Sequence, residues 1–272
     1  MRLREHELER HRRVLEAKDP LRRACHRRSL GGRGRHEQGG GGGGSFNPDA
    51  LPLAIGLSTL GLTLEDSDTT VQTWTAAHGT LAGLALAAPA ATNRPSYSAA
   101  GGTGGRPIVT FDGVDDVLTG LLTRGEAWGD CELGIVGRTL GNADNRYILA
   151  YDNTTGFRLT GWDITNTARF ETRNPGGATS ISISDPGAAR AHISADWDGA
   201  DQSVRFAGAV QDTDAATPTD YVDGNAVSLG ASPSAAAPLN VEIQAWYIGA
   251  RLTDTQRADL RAWLTTHTGI SC

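Results

Sequence analysis

Two textures of apolar and polar residues divide the chain. From residue 45 onward, apolar and β-branched stretches of four to eight residues alternate with clusters of Gly, Asn, Asp and Pro. Asp152-Asn153-Thr154-Thr155-Gly156, Asn174-Pro175-Gly176-Gly177, Asp185-Pro186-Gly187 and Asp198-Gly199-Ala200-Asp201 are such breakers. Strands are expected at 53–57, 61–64, 70–75, 107–111, 115–122, 131–138, 146–150, 156–161, 167–172, 179–183, 190–197, 203–207, 226–229 and 240–249. Many short strands at roughly 8–12-residue spacing read as a sandwich or barrel. In Ala191-His192-Ile193-Ser194-Ala195-Asp196-Trp197 the odd positions are apolar and the even ones polar. That alternation predicts a half-buried strand with one polar face. Residues 81–91, rich in Ala and Leu, fit a strand, a short helix or a packed loop.

The period changes near the C-terminus. Thr253 followed three residues later by Gln256 forms a capping box, and Leu260, Trp263 and Leu264 share one face. Gly269 fits a C-terminal stop, so one amphipathic helix is expected at 254–267, docked on the β-body.

The N-terminal texture is helical. Arg2 to Lys18 is rich in Leu, Glu, Arg and Ala and has no Gly or Pro. Leu3, Leu8 and Leu15, with His11, make an apolar stripe too thin to fold alone, so this helix is expected to need a partner surface. Asp19-Pro20 breaks it, and Pro20 opens a second segment running to about Ser29. Residues 39–44 are six consecutive glycines, which behave as a flexible tether. The expected organisation is a basic helical anchoring arm (1–36), a Gly-rich linker (37–45) and a β-body (46–272).

Charge follows the same division. Residues 1–38 hold 12 Lys+Arg against 6 Asp+Glu, while the rest holds 13 Arg, no Lys and 25 Asp+Glu. Residues 1–38 are therefore +6 and the rest −12, giving the net −6. An acidic body disfavours nucleic acid and anionic membrane, and no apolar run approaches the ~20 residues that span a bilayer. Arg12, Arg13, Arg22 and Arg23 of the arm suit an acidic surface, protein or nucleic acid. Cys25, Cys131 and Cys272 are odd in number and widely spaced, so free thiols and assembly in a reducing cytoplasm are expected. The N-terminus has no apolar segment behind its charges, which argues against a secretory leader.

Three stretches together resemble a family. They are Arg94-Pro95-Ser96-Tyr97, then Gly105-Arg106-Pro107-Ile108-Val109-Thr110-Phe111-Asp112-Gly113-Val114-Asp115-Asp116-Val117-Leu118, then Leu252 to Ile270. Their order is similar to that in laminin-G-like, concanavalin-A-like jelly-roll domains of bacteriophage virion proteins and bacterial surface proteins. The resemblance covers roughly 50–272 and implies an all-β, two-sheet antiparallel jelly-roll sandwich with a C-terminal helix. Members usually begin on a tryptophan-bearing strand followed by an Asp-rich loop; Leu53-Ala54-Ile55-Gly56-Leu57 has no Trp. No matching acidic pair is identifiable, so no calcium site is carried over and no cofactor is expected.

Candidate chemistry is sparse. Asp112, Asp115 and Asp116 form the densest acidic group, and a turn explains them: Asp112 caps a reversal, with Asp115 and Asp116 straddling the sheet. Asp212, Asp214, Asp220 and Asp223 read as a solvated loop. His192 falls on the polar face of its strand and His267 near a helix C-terminus. No nucleophile elbow, HExxH or phosphate-binding loop occurs. Tyr147, Tyr151, Trp162 and Tyr221 are the candidates for stacking on sugar rings, with Trp162 the best exposed. Trp74, Trp197 and Trp246 are expected in the core. The combined expectation is a non-enzymatic virion component assembled in the host cytoplasm. Its arm would grip other virion proteins or oligomerise, and its sandwich would face outward, in reach of a host-surface glycan. A free carbohydrate-binding module and a polysaccharide hydrolase are the alternatives.

Overall fold

The computed structural model describes residues 46–123, 130–140, 147–151, 156–160, 167–174, 177–184, 189–215, 225–232 and 238–272. The arm and linker, with Leu3, Leu8, Leu15, Arg12, Arg13, Arg22 and Arg23, lie outside the described residues, as do Trp162, Asp220, Tyr221 and Asp223.

In chain order the strands are β1 (Leu53–Leu57), β2 (Leu62–Glu65), β3 (Thr70–Thr75), β4 (Ala85–Ala87), β5 (Ser96–Ser98) and β6 (Ile108–Asp112). They continue as β7 (Leu118–Leu122), β8 (Cys131–Thr139), β9 (Tyr147–Tyr151), β10 (Phe157–Thr160), β11 (Thr167–Asn174) and β12 (Gly177–Ser184). The last are β13 (Ala191–Trp197), β14 (Asp201–Phe206), β15 (Ala209–Ala215), β16 (Asn225–Leu229) and β17 (Asn240–Gly249), followed by the helix α1 (Asp254–Thr268).

The strands pair antiparallel in two layers. One layer runs β15-β14-β13-β8-β17, and the far edge of β17 is shared by β6 (from Asn240↔Asp112) and β1 (to Gly249↔Leu53). The other runs β12-β11-β10-β9-β16-β7-β4-β3-β2. The short β5 joins them, pairing with β6 and meeting β3 at Thr70↔Ser96. This is the all-β jelly-roll sandwich that the sequence predicts.

The core lies between the layers. Trp74 of β3 meets Trp246 of β17 edge to face, ring centroids 6.2 Å apart at 84°. The Trp74 indole Nε1 donates to the Leu57 carbonyl at 3.1 Å. Trp197 is buried as well, so the three tryptophans expected inside are inside.

A second apolar cluster forms on the outside of the first layer. Leu53, Ile55 and Leu57 of β1, Val136 of β8 and Ala245 of β17 pack under Leu260 and Leu264 of α1. The helix begins with the expected capping box: Thr253 Oγ1 accepts from Gln256 N, and the Gln256 side chain accepts from Thr253 N. It ends at Gly269 in the left-handed region (φ 72°). Arg106 Nη1 donates to the Thr266 carbonyl at 2.7 Å, a cation satisfying a last-turn acceptor.

Two expectations need correction, and one open reading is resolved. Residues 209–215 are not a loop: they form the exposed edge strand β15, so Asp212 and Asp214 sit on a strand. With both faces in water, that strand has no apolar alternation to announce it. Residues 81–91, open between strand, short helix and packed loop, contain the three-residue strand β4, and β5 was unannounced because three residues are too few to show a period. Finally, β13 is buried along its whole length, polar positions included, because α1 covers the face that alternation assigns to water.

Candidate functional site

The covered face of β8, β13, β14 and β17 carries the densest polar chemistry among the described residues. Register places it. Asp196 lies opposite Glu132, Ser194 opposite Gly134 and Arg205, and Gly134 opposite Tyr247. A Cβ at Gly134 would sit 2.5 Å from the Tyr247 hydroxyl and 2.4 Å from its ring, so only glycine seats that phenol. Tyr247 Oη thereby reaches His192 Nε2 at 3.0 Å.

Charges from the helix complete the group. Arg257 Nε lies 2.9 Å from Glu132 Oε2, which also accepts from Leu252 N at 3.0 Å. Arg257 Nη1 donates to Asp254 at 2.9 Å. Asp196 is held by Arg205, whose Nη1 touches Oδ1, and by Arg251 Nε at 2.8 Å from Oδ2. Burial pushes the Glu132 carboxyl up, while the Arg257 guanidinium pulls it back. Burial lowers His192 to about 3, so its imidazole is neutral at physiological pH, and burial pushes the Tyr247 phenol up. Four buried nitrogens here have no hydrogen-bond partner: Arg205 Nη1 and Arg257 Nη2, which lie beside the Asp196 carboxylate, and His192 Nδ1 and Arg261 Nε, which have no ion-pair contact among the described residues. All four residues line a cavity of about 190 Å³ walled by the sheet and α1.

The acidic turn between β6 and β7 is the second candidate. Asp112 Oδ1 accepts from Val114 N at 2.7 Å, the expected reversal, and Asp116 Oδ2 accepts from Asp112 N at 2.8 Å. Asp115 and Asp116 do not straddle a sheet: β7 starts only at Leu118, and the curl of the turn brings the three carboxylates within 4.8 Å of one another. Burial, then the neighbouring Asp112 and Asp115 charges, raise Asp116 to about 7 against the pull of the Asp112 amide. These three are the residues whose spacing suits a hard cation, but the turn itself already uses an oxygen of Asp112 and one of Asp116.

The aromatic candidates scatter. Tyr151 is fully buried and stacks on Phe157 with ring centroids 5.0 Å apart, which removes it from any surface. The reason is that β9 is covered on both faces over its last four residues. Tyr147 is partly exposed, with the Arg158 guanidinium 4.4 Å over its ring and its hydroxyl bonded to Arg158 Nη1. Trp162 and Tyr221 lie outside the described residues. Cys131 and Cys272 form no disulfide among the described residues, and no helix among them is long and apolar enough to cross a membrane.

The polar group under α1 was missed at the sequence level. Its signal was Arg257 on the same helical stripe as Leu260 and Leu264, beside a strand whose polar positions are His, Ser and Asp. A charge on a buried stripe demands a buried partner.

No known protein family's sequence profile matches the chain. No curated protein matches it in sequence. Among solved structures it is similar to the botulinum neurotoxin serotype G binding domain (13% identity, TM-score 0.48, 67% of this chain and 51% of that one). It is also similar to domain 4 of AbnA, a GH43 extracellular arabinanase from Geobacillus stearothermophilus in complex with arabinotriose (13%, 0.48, 61% and 80%). A third is the Ruminococcus gnavus IT-sialidase CBM40 bound to α2,3-sialyllactose (16%, 0.40, 50% and 82%). The chain spans about half the length of the serotype G domain and 41% of the serotype D domain.

Proposed function

We propose that the chain is a non-enzymatic structural protein of a bacteriophage or phage-like particle, anchored by residues 1–36 and displaying residues 46–272 outward for attachment to a host-surface glycan. The observation that carries this reading is that the body builds its own core. The second layer covers the inner face of the first, and α1 covers the outer face over β1, β8 and β17. With the body's core accounted for, the basic residues 1–38, at +6 against −12 for the rest, and their thin apolar stripe are the segment we assign to docking. Six glycines separate the two in sequence, and repeated display on a symmetric particle would raise avidity without tight single sites. Assembly would take place in the host cytoplasm, and self-association through Leu3, Leu8 and Leu15 is part of the proposal.

Deletion of residues 1–38 tests the anchor. The truncated protein is expected to fold and stay soluble but to be absent from purified particles; incorporation at the full-length level would refute anchoring. Binding of residues 45–272 to host cells, competed by their purified surface polysaccharide, tests the display role. Binding without any particle association of the full chain would instead favour a free carbohydrate-binding module.

A further inference from the structure

We propose that the cavity between α1 and the outer face of the first layer binds a small sugar acid, a polyhydroxylated monocarboxylate of one monosaccharide's size. It deepens the glycan reading above, and rests on it only for where the ligand comes from.

The argument starts from which charges are already committed. Glu132 is taken by Arg257 and by Leu252 N. Asp196 is shared by Arg205 and Arg251, Asp198 lies 3.4 Å from Arg251, and Asp254 binds Arg257. Arg261, one helical turn beyond Arg257, has no carboxylate partner among the described residues, and its buried Nε has no hydrogen-bond partner. Arg261 is only partly exposed, and a guanidinium Nε shut off from water and left unpaired is costly; the smallest remedy is one negative charge. A dianion would instead overcompensate a wall that already carries Glu132 and Asp254.

The rest of the wall suits a hydroxylated ring. His192 is 2% exposed, and its unpaired Nδ1 offers one further hydrogen bond. Ser194 supplies a hydroxyl that can donate or accept. Leu260 and Val210 form an apolar strip for the C–H face of a sugar. Val210 is half exposed and stands at the solvent side, where a ligand would enter. At about 190 Å³ the space is smaller than the ~300–1,000 Å³ of drug-sized sites, which limits the ligand to a single small unit.

Titration calorimetry of the full chain with glucuronate tests this, with glucose as the neutral control. Saturable glucuronate binding is expected, with glucose at least about tenfold weaker, since a charge-assisted contact is lost. Arg261→Gln, on the partly exposed side of the helix, should weaken glucuronate by at least about tenfold. Val210→Trp should block entry without touching any charge, and thermal melts of both variants check that the fold is kept. No saturable binding at millimolar glucuronate, equal binding of glucose, or unchanged affinity in both folded variants would overturn the proposal. Free monosaccharides need neither particle nor cell, so this test and the display test fail separately.

Discussion

Arg257 of α1 reaches down to Glu132 of β8, its Nε 2.9 Å from one carboxylate oxygen and 3.1 Å from the other, with the two side chains only 8% and 1% exposed. This pair ties the last helix to the middle of the sandwich across 125 positions of sequence. Removing Arg257 leaves the Glu132 carboxylate buried with only the Leu252 amide bonded to it, and removing Glu132 leaves the buried Arg257 only its contacts with Asp254 and Asp196. Glu132→Gln or Arg257→Leu alone should cost about 3–5 kcal/mol, and the double variant Glu132→Leu/Arg257→Leu should recover much of that. Urea unfolding of the three variants reads the difference; equal losses in singles and double would mean that the pair is not coupled.

The capping box decides whether α1 stays in place. Thr253→Ala removes the acceptor for Gln256 N and should cost about 1 kcal/mol. Hydrogen exchange should quicken in the first turn of the helix while the strands between the layers keep their protection.

Close approach fixes Gly56. A Cβ there would lie 2.3 Å from the Trp246 indole Nε1. Gly56→Ala should destabilise the fold by about 1–3 kcal/mol through overpacking and shift the tryptophan fluorescence. A thermal melt equal to that of the parent chain would contradict this packing.

Two buried titrating groups pull stability in opposite directions with pH. His192 is neutral in the fold down to about 3, while the unfolded chain takes up its proton near 6.5. Its contribution is therefore present above 6.5 and is lost as pH falls towards 3. Asp116 holds its proton in the fold up to about 7, while the unfolded chain releases it near 3.8. Stability from this group falls as pH rises through that window. Asp116→Asn should steepen the loss of stability on acidification from pH 7 to 4, and His192→Asn should flatten or reverse it. Urea midpoints across that range check both, and parallel profiles for the two variants would refute the assignment.

Much of the fold was legible from the sequence, for an identifiable reason. Leu53–Leu57, Thr70–Thr75 and Asn240–Gly249 match their expected bounds to the residue, since apolar runs between breakers mark buried strands. Thr253, Gln256 and Gly269 set the ends of α1 through contacts three residues apart or less, or through one left-handed residue. The strands that escaped, Ala85–Ala87, Ser96–Ser98 and Ala209–Ala215, are either too short or too polar to show a period.

The site was the harder part. The sequence by itself determined that His192, Ser194 and Asp196 share one face of a strand, and that Leu260 and Leu264 share one face of a helix. It determined equally that Asp112 caps a reversal, because an Asx turn closes within a few residues. Only the tertiary structure decided that these two faces meet, with Glu132 and Tyr247 between them and Arg257 and Arg261 closing the top. It alone buried Tyr151 and curled Asp112, Asp115 and Asp116 together. Periodicity records which residues of one element point the same way; what covers them depends on contacts between residues more than a hundred positions apart, and no local pattern carries that information.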